Sequence, residues 1–172
     1  MSEAIDSLVF APGCDRRYRE LYEGIFTTSL WEVLAAAGSF PFPDYGGAVM
    51  TVHDPCPTRT EDRVHEAIRT LLERMNVKLV EPMSTRAAGV CCGDSFFGTL
   101  PDARVRELMT RRADSMPAED VVVYCVSCVK AMHIGGKRPR YMVDLLFGET
   151  TEAGVVDLTE WHAELDRFIA EH

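Results

Sequence analysis

Five cysteines fall into three groups: Cys56, the adjacent pair Cys91-Cys92 followed by Gly93, and Cys125-Val126-Ser127-Cys128. Cys56 and Cys91 are separated by 34 residues, and Gly93 and Cys125 by 31. Neighbouring cysteines bridge one another only through a strained peptide, so the pair is better suited to presenting two thiolates side by side. The glycine behind it lets backbone come close to whatever they grip. Thiolate is a soft ligand that selects zinc, copper(I) and iron–sulfur clusters, and it must be deprotonated to bind. Three chemistries stand open on these residues: an iron–sulfur cluster, a zinc site, or a metal-free dithiol pair using Cys125 and Cys128. Five ligands tilt against plain zinc, which closes tetrahedrally with four.

Short apolar runs bounded by turn residues predict strands near residues 8–11, 48–52, 77–80, 121–124 and 140–143. Between them lie helical patterns. Ser29 and Glu32 form a capping-box pattern ahead of Leu30, Val33, Leu34 and Ala37. Thr58 and Glu61 form another, ahead of Val64, Ile68, Leu71, Leu72 and Met75. Thr99 and Pro101 open a helix with Val105, Leu108 and Met109 on its apolar face. A helical turn after Cys128 ends at Gly135-Gly136, and a helix over residues 159–171 carries Trp161, Leu165, Phe168 and Ile169 toward the core. No internal repeat is apparent. The alternation predicts an α/β fold, a mostly parallel sheet flanked by helices on both faces. Cys14, Cys56 and Cys125 each follow a predicted strand, which puts the cysteines at the C-terminal rim where such sheets bind ligands.

With 172 residues, 47% of them hydrophobic and 26% charged, the chain reads as one domain over 1–172. A net charge of −9 without a basic stripe argues against nucleic acid. No apolar run reaches the 18 or so residues of a membrane span, and the opening residues show no signal peptide. A cytoplasmic, reducing setting is therefore expected, in which cysteines serve metal or redox chemistry.

At three spaced motifs the chain resembles the CCG, or cysteine-rich, domain family, found in heterodisulfide reductase and related iron–sulfur oxidoreductases. The motifs are His53-Asp54-Pro55-Cys56, Gly89-Val90-Cys91-Cys92-Gly93 and Tyr124-Cys125-Val126-Ser127-Cys128, and residues 144–149 resemble the closing segment. The likeness covers residues 48–149. It implies a noncubane [4Fe-4S] cluster held by Cys56, Cys91, Cys92, Cys125 and Cys128, in an electron-transfer or thiol/disulfide-reducing subunit. Many relatives carry two tandem domains, and this chain resembles the C-terminal half of such a pair. Its opening residues up to Cys14 resemble the end of a preceding domain's Cys-x-x-Cys strand, with Ala11 in place of its first cysteine. The resemblance therefore implies a partner: another oxidoreductase subunit, a second CCG domain, or another copy of this chain. The alternatives are a non-catalytic zinc-binding partner module and a metal-free dithiol oxidoreductase.

Other residues are weighed against plainer roles. Cys14 reads as a free thiol. His53 and Asp54 either hydrogen-bond toward the metal site or simply make the turn after a strand. His65, His162 and His172 read as surface residues, while His133 is a lesser zinc candidate. Phe96 and Phe97 read as core or interface aromatics, and Arg86 and Lys130 as solvated cations.

Overall fold

A computed structural model describes residues 5–9, 11–155 and 157–172. Four parallel strands form its main sheet, in the order β4 (Lys78–Leu79), β3 (Val49–His53), β5 (Asp120–Val123) and β6 (Arg138–Tyr141). A second, two-stranded parallel sheet pairs β1 (Ile5–Val9) with β2 (Ile25–Ser29). The expected α/β architecture is the one observed.

Strand alternation divides the core in two. Met50, Val52, Val122 and Tyr124 point to one face, where they meet α2 (Leu30–Ala36), α3 (Asp62–Arg74) and α6 (Met142–Phe147). Ile68, Leu71 and Leu72 of α3 are fully buried there, each contributing about 1.5–3 kcal/mol by leaving water. Val121 and Val123 point to the other face, against α4 (Asp102–Asp114), α5 (Val126–Ile134) and Leu158 at the start of α7 (Leu158–Glu171). Thr51 and His53 alternate with Met50 and Val52, so they share this second face, and both are fully buried.

Several expectations are corrected. Strand β2 went unforeseen. The first strand lies earlier than residues 8–11, with residue 10 outside the described set, and α1 (Pro12–Leu21) follows it. Thr58 does not cap α3, which starts at Asp62; it sits in a 3-10 turn (Cys56–Thr58) and donates to Pro55 O at 2.9 Å. Ser29 occupies the N-cap of α2 without a side-chain cap bond. Helix α7 is anchored by Leu158 and His162, whereas Phe168 and Ile169 lie exposed. His65 is fully buried and His162 is 4% exposed, so neither is a surface residue.

The order of elements also repeats. Strand, helix, parallel neighbouring strand and immediately following helix describe both β1–α1–β2–α2 and β5–α5–β6–α6. Ala11 is the N-cap of α1 as Cys125 is of α5, and Cys14 and Cys128 each follow three residues later.

Strand β6 is an edge. Arg138 N–H donates inward to Glu119 O at 3.1 Å, which turns residues 139 and 141 outward. Residue 139 is proline, and Tyr141 N–H donates to Thr151 Oγ1 at 2.6 Å.

Candidate metal centre

Each cysteine group is delivered by a different crossover at the C-terminal ends of β3 and β5. Cys56 opens the 3-10 turn shortly after β3, and Cys125 and Cys128 sit at the N-cap and first turn of α5 after β5. Cys91 and Cys92 come from the long connection between β4 and α4. Gly93 makes that connection possible. Its φ is 107°, and a Cβ there would stand 3.1 Å from Met109 N and 3.2 Å from Leu108 Cβ, so only glycine lets the loop lie on α4.

The five thiols form one unbroken chain. Cys56 interacts with Cys91, Cys91 with Cys92, Cys92 with Cys128 at 3.5 Å between sulfurs, and Cys128 with Cys125. None is in a disulfide. Cys92 and Cys128 are buried, while Cys56, Cys91 and Cys125 are half-buried. The structure thus brings together all five cysteines singled out in the sequence. Cys14 stays apart from the sulfur chain, exposed on α1, where it lines a groove of about 690 Å³ also bounded by Tyr18, Tyr22, Cys125, Val126 and Tyr141. His133 joins no cluster of potential ligands among the described residues.

Packing so many thiols together makes their charges compete. Cys91 is driven well below the ordinary thiol range by the thiols of Cys56 and Cys92, with help from Ser95 Oγ at 3.1 Å and Gly93 N–H at 3.3 Å. Cys56 is driven up in response, by its contact with Cys91 and by burial. Cys92 is pulled down by Cys128, yet Cys91 and burial outweigh that and leave it raised. Cys125 falls to about 7, through the Cys128 thiol and the N–H groups of Ser127 and Cys128 at the α5 N-terminus. Cys128 is pushed up by Cys125, Cys92 and burial. Alone, the cluster favours thiolate at Cys91, between the raised thiols of Cys56 and Cys92, and a second lowered thiol, Cys125, lies at the far end beside raised Cys128. Holding more of them as thiolate calls for cationic charge among them, which a soft metal would supply.

Fully buried His53 lies on the same face. One ring nitrogen sits within 4.8 Å of the sulfurs of both Cys92 and Cys128. Nδ1 accepts from Arg112 Nε at 3.2 Å, and Nε2 has no partner among the described residues. Burial first, and then the Arg112 charge, hold His53 down to about 3, so the ring is neutral.

Asp54 points the other way, into a structural network. Arg69 grips both carboxylate oxygens at 2.6 and 2.8 Å, while Thr85 Oγ1, Arg86 N–H and Tyr124 OH donate at 2.9, 2.7 and 2.7 Å. Burial would raise the carboxyl, but Arg69 outweighs it and Asp54 ends well below the usual range. Phe97 lies against His162 with ring centroids 3.8 Å apart and planes tilted by 38°, and His162 pairs with Asp102. Lys130 bonds to Ala153 O and Val155 O, and Arg86 to Glu66, so both cations hold local structure.

Sequence reasoning passed over Arg112. Its signal was its place on the apolar stripe of α4, after Val105 and Met109, where a charge implies a buried partner.

Residues 50–133 match the family model of the cysteine-rich domain, CCG, a span that contains all five clustered cysteines. The chain is also similar to a probable membrane-anchored ferredoxin of Chromohalobacter salexigens, with 26% identity over 124 residues. That match covers 70% of this chain but 18% of the relative, so the chain spans less than a fifth of that protein's length. No solved structure matches the chain. No helix among the described residues is long and apolar enough to cross a membrane.

Proposed function

From a chain that carries a CCG cysteine-rich domain over residues 50–133, we propose an iron–sulfur redox subunit. Its cluster, a [4Fe-4S] centre of the noncubane type, is held by Cys56, Cys91, Cys92, Cys125 and Cys128. The observation that carries this reading is the unbroken run of five thiols from three separate loops, free of disulfides. A cluster bound there supplies a site that gains and loses an electron.

The chain's own groups set the conditions. Gly93 N–H toward Cys91, Asp94 N–H toward Cys92, and Ser127 and Cys128 N–H toward Cys125 each favour thiolate over thiol. Cys92 and Cys128 lie deep, keeping water from the inner side, while half-buried Cys125 meets the groove beside α1. Electrons or a thiol/disulfide substrate would arrive on that open side. The partner is another oxidoreductase subunit or a second cysteine-rich domain, supplied by a different chain or a second copy of this one. Heterodisulfide-reductase-like chemistry is the specific form of this reading, in a reducing, cytoplasmic setting.

Anaerobic purification with iron and acid-labile sulfide analysis tests it. The expected outcome is about four irons per chain. Cys92→Ser and Cys128→Ser should lose most of that iron, and Cys14→Ser should keep it. Near-zero iron with one equivalent of zinc would overturn the reading in favour of a zinc-binding module.

A further inference from the structure

We infer that His53 is the hydrogen-bond donor that tunes the sulfur site from its buried side, and that Arg112 is the positioning residue that makes it one. The inference rests on the iron–sulfur reading above. The arginine settles the tautomer. Its Nε carries a hydrogen that cannot be given up, so at 3.2 Å from His53 Nδ1 it must donate, and Nδ1 must hold the lone pair. The ring proton then belongs to Nε2. Arg112 has no freedom to do otherwise: only 3% exposed, it also donates through Nη2 to Ser84 O at 3.0 Å and through Nη1 to Ser115 Oγ at 3.3 Å.

That leaves a buried Nε2–H without an acceptor among the described residues. Such a donor is costly unless something receives it. The sulfurs of Cys92 and Cys128 lie within 4.8 Å of a ring nitrogen, on the face of the sheet to which β3 turns this side chain. The same proton rules out ligation. A histidine that ligated through Nε2 would need its hydrogen on Nδ1, where it would face the Arg112 hydrogen donor to donor. The grouping of His53 with Cys92 and Cys128 is therefore a donor beside two sulfurs and no third ligand. An N–H aimed at thiolate or sulfide withdraws charge from it. That favours the more negative reduced state and raises the reduction potential.

Two measurements on the full chain test this. In the metal-free chain, long-range proton–nitrogen correlation of the His53 ring should show the Nε2–H tautomer, and Arg112→Gln should mix the two tautomers. In the anaerobically reconstituted chain, redox titration followed by electron paramagnetic resonance should give a lower potential for His53→Phe at unchanged iron content. His53→Gln, whose amide N–H reaches a similar position, should recover part of the shift. If His53→Phe does not fold or load, the glutamine variant and Arg112→Gln carry the potential measurement. An Nδ1–H tautomer in the wild-type chain, or a potential unmoved by these variants at full iron, overturns the assignment and leaves the cluster reading intact. Wild-type chain that holds no iron overturns both.

Discussion

At the scale of single residues, a nearly buried ion pair lies beside the sulfur site rather than within it. Asp54 is 1% exposed and Arg69 10%, and the two meet through a double hydrogen bond whose far side is tied to Glu81. Removing one partner of a buried pair strands the other's charge. Arg69→Met should therefore cost about 3–5 kcal/mol in urea unfolding of the metal-free chain. The network also fixes the acid behaviour. Asp54 in the folded chain lies below its unfolded value near 3.8, and Glu81 is likewise lowered, burial working against both and Arg69 outweighing it. The stability they supply is thus complete above the unfolded values and drains away as pH falls through and below them. A urea series from pH 7 to 3 should show that fall, and Arg69→Met should flatten it.

Residue types announced the cysteine groups because thiols at those intervals have few uses besides metal or redox chemistry in the reducing setting expected of the chain. They could not announce His65 or His162. Each lies next to an apolar stripe, and only the width of the buried face decides whether such a neighbour is covered. The His53–Arg112 bond joins residues 59 apart, across a contact no local pattern encodes.

At the scale of elements, the crossing of α4 and α5 holds the rim in register. Gly135, at the end of α5, lies so close to α4 that a Cβ would stand 2.6 Å from Ala113 Cβ and 2.8 Å from Met109 O. One of those neighbours is backbone and cannot swing away. Gly135→Ala should cost about 1–3 kcal/mol in denaturant unfolding, as overpacking does. It should also weaken metal retention, because α5 carries Cys128 and α4 carries Arg112. Gly135 and Gly136 were readable as a helix stop, yet this close approach was not. Nor was β2, whose five residues sit directly before α2; the Ser29–Glu32 pattern drew attention to the helix and away from the strand feeding it. Strands β3 and β5 were plain because each is an apolar run buried on both faces.

At the scale of the whole molecule, the sulfur site borders one core only: Cys92 and Cys128 pack into the cluster of α4 and α5, while the cluster around α3 on the other face contains no cysteine. The core lies on both faces of the sheet, while the cysteines gather past the strand ends. The metal-free chain should accordingly keep its secondary structure, with far-ultraviolet circular dichroism close to that of the loaded form. Metal bound only by the folded state still adds stability. Loaded chain should melt higher, by about 2–4 °C for each kcal/mol of binding linkage, and a chelator under reducing conditions should remove the difference. Unchanged melting on loading would show that the site is not formed by the folded chain.

The closed edge of β6 constrains how this molecule can join another. A sheet recruits a new strand by offering a row of unclaimed amide hydrogens. On this border the proline at 139 has none to offer, and the next outward one, on Tyr141, is already spent on Thr151. The opposite border is only the two residues of β4. Continuation of the main sheet into a neighbour, the commonest accidental route to fibres, is blunted at both borders. A companion subunit of the kind proposed would find no open border on the main sheet and would meet side-chain surfaces there, such as the groove where Cys125 lies.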